Sequence, residues 1–205
     1  MLGFAYFGID PSATQVCENE KQATTICTRT VEHMPKWTVG DGMDIKQHFA
    51  DFLNSSGLPA DTRADIMLTC PPYFDLEKYG GDPATDLSMM DFCSFKTNYA
   101  RILEHSTSLL KEHHVAVTVI GNVRDSTGAM RDLHGLTKTA LETAGNVLYC
   151  DAVLETALAS APMRAGRQMQ AASKLCSVHQ NVVVTCRGAP LTSKLCKLYR
   201  ISSSD

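Results

Sequence analysis

Ala64-Asp65-Ile66-Met67-Leu68-Thr69-Cys70-Pro71-Pro72-Tyr73 is the stretch on which the reading of the fold turns. Ala64–Thr69 reads as a buried strand, and it runs straight into two prolines. These remove two backbone donors, fix φ and cannot continue a central strand, so the chain leaves the sheet at Cys70 with its carbonyls free. The result is a rigid, acceptor-rich corner with an aromatic face beside it.

Working outward, strands and helices alternate. Phe4–Ile9 is a short apolar run ending at Asp10-Pro11-Ser12, and Ser12 is an N-cap candidate for a helix through about Thr25. Thr38-Val39 is a short strand stopped by Gly40-Asp41-Gly42, and Ile45–Leu53 has helical spacing of apolar residues. Residues 74–90 read as a loop, followed by a helix from about Asp91 to Lys111. Val115–Ile120 is a strand of six apolar or β-branched residues, 121–129 a loop, and Met130–Ala144 a helix ended by Gly145. Val147–Leu154 and Asn181–Cys186 are the last strands, separated by a basic loop at 162–176. This alternation predicts an α/β fold, a Rossmann-like, largely parallel sheet flanked by helices. No repeat or low-complexity linker divides residues 1–205, which read as a single domain. Ligands in such folds bind beyond the carboxyl ends of the strands. The residues to consider are therefore Asp10, Asp41, Cys70 to Tyr73, Asn122 to Asp125 and the loop after Leu154.

Composition narrows the class. At 205 residues, 44 % hydrophobic and 20 % charged, the chain is globular, which excludes disorder, collagen and coiled coil. No apolar run approaches a membrane span and no basic segment precedes the first apolar run, so a soluble, intracellular and cytoplasmic protein is expected. The eight cysteines form no C-x-x-C pair and fall beside no histidine at zinc spacing, so no metal is expected and the thiols read as mostly reduced and buried. The net charge of −3 conceals a division. Residues 1–155 carry 21 acids against 12 Lys and Arg, a balance of −9, whereas residues 156–205 carry seven basic residues against Asp205, a balance of +6. That asymmetry points to an anionic partner for the C-terminal part, or else to a merely solvated basic tail.

An acid at a strand end, such as Asp10, can accept hydrogen bonds from both hydroxyls of a ribose, or can simply form a turn or cap a helix. Asp41 lies between Gly40 and Gly42, where glycine lets a ligand approach the backbone and the carboxylate can receive an amino group. The Cys70–Tyr73 corner suits an exocyclic amino group on a base. Accepting both of its N–H hydrogens favours a pyramidal, more nucleophilic nitrogen, and stacking on Tyr73 contributes roughly 1–3 kcal/mol. A plain Pro-Pro turn with a packed tyrosine accounts for the same four residues.

These residues resemble the DNA amino-methyltransferases, which carry a (D/N/S)-P-P-(Y/F) motif after a strand, and among them the phage-type DNA methylases. Phe7-Gly8-Ile9-Asp10 and the residues to Gln22 are similar to that group's second strand and helix, and Trp37-Thr38-Val39-Gly40-Asp41 to its next strand and acid. Leu68 through Tyr79 resembles the catalytic motif, with Asp86-Leu87-Ser88 continuing the match. Gly121 to Asp125, Arg164-Ala165-Gly166-Arg167, and Lys174 with His179-Gln180-Asn181 are similar to later blocks. The resemblance implies S-adenosyl-L-methionine as cofactor, with Asp10 on its ribose and Asp41, beside Gly40, on its adenine amino group. It implies that Cys70, Pro71, Pro72 and Tyr73 receive a flipped adenine or cytosine in double-stranded DNA. Arg164, Arg167 and Lys174 would then contact DNA phosphates, and Asp75, Glu77, Gly80 and Gly81 would form a mobile lid.

Two features depart from that pattern. Cys70 stands where the family has Ser, Asp or Asn, and a thiol is a weak acceptor. The family also has a first strand and a glycine-rich turn before the ribose-binding acid, whereas this chain starts at what resembles the second strand. The expectation is an N-terminally truncated methyltransferase, with an upstream segment or a second chain completing the cofactor site. A catalytically impaired DNA-binding remnant and an RNA or protein amide methyltransferase are the alternative readings.

Overall fold

The structure is a computed structural model that describes residues 5–26, 34–76, 79, 82–125, 127–155, 169–170 and 179–190. In chain order the elements are β1 (Phe7–Asp10), α1 (Ala13–Ile26), β2 (Lys36–Val39), α2 (Ile45–Ser55), β3 (Ala64–Thr69), α3 (Phe92–Thr107), β4 (Leu110–Ile120), β5 (Val123–Arg124), β6 (Met130–Arg131), α4 (Leu133–Thr143), β7 (Asn146–Glu155) and β8 (His179–Arg187). Two 3₁₀ turns, Gly42–Asp44 and Leu87–Met89, precede α2 and α3. The fold is α/β, and the chain divides into two compact units, Met1–Asp65 with Phe74–Lys111 and Ile66–Tyr73 with Glu112–Asp205.

In the first unit β1 and β2 pair in parallel, with Phe7 opposite Lys36 and Asp10 opposite Val39. Ser12 caps α1 as the sequence predicts: its hydroxyl accepts from Gln15 N–H and its carbonyl from Val16 N–H. Phe49 and Leu53, one helical turn apart, are the buried face of α2, and the Phe52 ring stacks on Phe7 of β1 at 4.9 Å. In α3 the buried residues are Phe95, Tyr99, Leu103 and Thr107, a four-residue repeat that lines one stripe of the helix. Phe74 packs edge-on against Phe92 and Phe95, at 5.1 and 5.4 Å between centroids. Its φ of 55° places a bulky residue in the left-handed region. Such a conformation costs free energy, and burial of the ring in this aromatic cluster offsets it.

The second unit is built on a four-stranded sheet in the order β3-β4-β8-β7. β8 runs antiparallel to both neighbours, from Val115 opposite Cys186 to Ile120 opposite Asn181 on one side and from Asn146 opposite Arg187 to Glu155 opposite His179 on the other. The alternating residues Ala116, Thr118 and Ile120 of β4 and Val183 and Thr185 of β8 are fully buried. Leu133, Thr137, Ala140 and Leu141 are the buried residues of α4. Asp132 caps α4 through Gly135 N–H, and Gly145 ends it at φ 84°, a conformation that favours glycine.

Several expectations are corrected. The four-stranded sheet is not largely parallel, because β8 is antiparallel to both strands beside it. Ala64–Thr69 is a strand but not a buried one: Ile66 and Leu68 are 51 % and 69 % exposed. The helix expected to reach Lys111 stops at Thr107, and Leu110 begins β4. The helix expected from Met130 starts at Leu133, because Met130–Arg131 pairs with Val123–Arg124 across a short hairpin. Asp125 holds that hairpin closed, accepting from the backbone of Thr127 and Ala129, the Thr127 hydroxyl and the Arg131 guanidinium. Of the five described cysteines only Cys186 is buried, whereas Cys17, Cys70, Cys93 and Cys150 are exposed, so the picture of mostly buried thiols fails. Among the described residues, no helix is long and apolar enough to cross a membrane.

Candidate active site

Asp10 is the last residue of β1 and Asp41 follows β2 by two residues. The two are neighbours because the strands are paired and parallel. Each carboxylate is oriented by its own turn. One oxygen of Asp10 accepts from Ser12 N–H at 2.8 Å, and one oxygen of Asp41 from Met43 N–H at 2.9 Å. Both turn-forming roles are thus real, and in each case the second oxygen is without a hydrogen-bond partner among the described residues. The Asp41 turn is braced from α3: His105 Nδ1–H donates to the Met43 carbonyl at 2.9 Å, and a side chain at Gly42 would meet Ile102 Cγ2 at 3.2 Å. Gly40 donates its N–H to the Asp10 carbonyl. A side chain there would run into the His48 imidazole, so Gly40 and Gly42 make room for neighbouring side chains of the protein itself rather than open backbone. His48, Ile102 and His105 carry no sequence signal of this role, since each is an unremarkable position on a helix. A cleft of about 380 Å³ elsewhere in this unit, lined by Lys46, Phe49, Arg63 and Ser108 among others, includes neither acid.

In the second unit, Cys70, Pro71, Pro72 and Tyr73 follow β3 directly. Cys70 is exposed, yet partial burial of its thiol pushes the pKa above the usual thiol value, so the group is protonated at neutral pH. Tyr73 is half-buried. Its hydroxyl accepts a hydrogen bond from the Gln180 side-chain amide, and its ring edge borders Gly121, where a Cβ would lie 3.2 Å from Tyr73 Cε2. Gln180 and Gly121 fall in blocks noted in the sequence, but their contact with Tyr73 arises from strand register and cannot be read from spacing.

Arg164, Arg167 and Lys174 lie outside the described residues, as do Glu77, Gly80 and Gly81 of the expected lid. What is described of residues 74–90 is partly anchored: Phe74, Asp86, Leu87 and Ser88 are buried, and Asp86 accepts from the Ser88 N–H and hydroxyl. Among the described residues, no group of three His, Cys, Asp or Glu side chains is placed to hold a metal ion.

No known protein family and no curated protein matches the sequence. Solved structures do match. A SAM-dependent methyltransferase from Methanosarcina mazei is 10 % identical, with a TM-score of 0.52 over 90 % of this chain and 82 % of that one. The [4+2]-cyclase SpnF is 13 % identical, with a TM-score of 0.52 over 88 % of this chain and 66 % of that one. A protein from Thermus thermophilus described as a DNA modification methylase is 15 % identical, with a TM-score of 0.48 over 73 % of this chain. The chain spans about half the length of that protein, matching 52 % of it. A cyclase among these structures shows that the fold alone does not fix the chemistry. At these identities what is shared is architecture: the chain has the α/β fold of the M. mazei SAM-dependent methyltransferase.

Proposed function

We propose that the chain is a DNA amino-methyltransferase that uses S-adenosyl-L-methionine to methylate N6 of a flipped adenine or N4 of a flipped cytosine. The observation that carries this reading is Tyr73, which follows the Pro71-Pro72 corner at the end of β3 with its ring bordered by Gly121 and tethered by Gln180. A braced aromatic next to an acceptor-rich corner suits a planar amino-bearing ring.

The acid pair fits the adenosine part of the cofactor. The free oxygen of Asp10 has two lone pairs for the two ribose hydroxyls, and that of Asp41 accepts from the adenine amino group. When bound, the cofactor supplies an activated sulfonium methyl group. Tyr73 stacks on the extruded base and holds its plane. The Cys70 side chain and the Pro71 carbonyl accept from the amino group, with the carbonyl the stronger acceptor because Cys70 is a protonated thiol. A protonated thiol also argues against Cys70 attacking a cytosine ring carbon, which requires the thiolate. Arg164, Arg167 and Lys174 position the duplex through its phosphates without reading sequence.

The raised pKa of Cys70 favours one second reading, a DNA-binding protein impaired in catalysis. Incubating the chain in its full reading frame with methyl-labelled cofactor and, separately, DNA, RNA and protein separates the readings. Label in DNA is the expected result. DNA binding without label supports the impaired form, and label in RNA or protein alone contradicts both.

A further inference from the structure

The β4–β8 register places Ile120 opposite Asn181, so the next residue on β4's side, Gly121, and the preceding residue on β8, Gln180, emerge together at one end of the sheet. Tyr73, which follows β3 by four residues, meets both. The contacts are complementary. Gln180 fixes the phenol at its hydroxyl, and Gly121 lies along one ring edge, where a Cβ would stand 3.2, 3.7 and 3.8 Å from Cε2, Cδ2 and Cζ. One tether at the tip and one wall along the edge restrict both rotation about the Cβ–Cγ bond and swing of the whole ring. A stacking surface fixed in advance spends less binding free energy on ordering when the base arrives.

We infer that Gln180 is a positioning residue that acts through the Tyr73 hydroxyl to set the plane on which the target base stacks, with Gly121 required small so that the ring can occupy that plane. This rests on the reading of Cys70–Tyr73 as the base site.

The test is a double-mutant cycle on methyl transfer to unmodified genomic DNA by the full reading frame, comparing wild type, Tyr73→Phe, Gln180→Leu and the double variant. Tyr73→Phe keeps the ring and removes the hydroxyl that accepts from Gln180. Each single variant is expected to lose roughly three- to tenfold in kcat, the range set by one hydrogen bond, with KM for DNA unchanged because phosphate contacts hold the duplex. The double variant should lose no more than either single one, since both remove the same interaction. Gln180→Glu, whose carboxylate accepts from the hydroxyl, should recover most of the rate, and Gly121→Ala should lose kcat like the tether variants. Additive losses, or a Gln180→Leu enzyme with wild-type kcat, overturn the inference. A Gln180→Leu loss that tracks a fall in melting temperature and is not rescued by Gln180→Glu also overturns it, by making the residue merely structural. Tyr73→Ala separates the two claims: if it methylates DNA as fast as wild type, or wild type methylates none, the base-site reading itself falls.

Discussion

The Gly40 N–H donates to the Asp10 carbonyl at 3.1 Å, tying the end of β1 to the turn that carries Asp41. This bond extends the parallel pairing one residue past Val39 and brings two separately capped carboxylates to the same end of the same two strands. In the proposed reading both acids hold one ligand, the cofactor.

Isothermal titration with S-adenosylmethionine tests that pairing. In the full reading frame, Asp10→Ala and Asp41→Ala should each weaken binding by about 1.5–3 kcal/mol, roughly tenfold to a hundredfold in Kd, the range for a hydrogen bond to a charged group. Wild-type affinity in both variants would remove the acids from the cofactor site.

Cys70→Ser should retain or raise methyl transfer. A hydroxyl is a better acceptor than the protonated thiol, which burial holds above its usual pKa. Initial rates on DNA measure this directly, and complete loss of activity in the serine variant would show that the thiol itself is needed.

Asp125 provides a pH-dependent contribution to stability. The Thr127 hydroxyl and then the Arg131 guanidinium hold its carboxyl below the ordinary range, against an opposing push from partial burial. With the folded pKa below the unfolded value of about 3.9, the stabilisation is present above that value and is lost as pH falls through the folded pKa. Asp125→Asn should lower the melting temperature at pH 7, and the gap to wild type should narrow towards pH 3. A gap of constant size across that range would mean the effect is packing rather than charge.

Thr118 and Thr185 are fully buried, and their hydroxyls have no hydrogen-bond partner among the described residues. Valine keeps the shape and removes the unsatisfied oxygen. Thr118→Val and Thr185→Val should each add about 1 kcal/mol, read as a higher urea midpoint. A lowered midpoint would mean that each hydroxyl finds a partner in solution.

The strand ends carrying Asp10, Asp41 and Cys70 were legible in the sequence because each lies where an apolar run meets Pro or Gly. Local signals of that kind act over a few residues. The antiparallel placement of β8 was not legible, since a run such as Asn181–Cys186 looks the same in either direction. With it went the Gln180–Tyr73 contact, which joins residues 107 positions apart. The exposure of Ile66 and Leu68 also escaped the sequence: an apolar strand after a helix reads as buried, and only the sheet order shows β3 at one edge of its four-stranded sheet among the described residues. The Phe74 backbone was equally hidden, because nothing local marks a phenylalanine for positive φ.

The most direct test of the central claim is mass spectrometry of DNA nucleosides from cells expressing the chain in its full reading frame, beside cells expressing its Tyr73→Ala variant. N6-methyladenine or N4-methylcytosine is expected with the wild type, and a strong reduction of that mark with the variant. Neither base above background in the wild-type cells, with the protein folded and present, would contradict it.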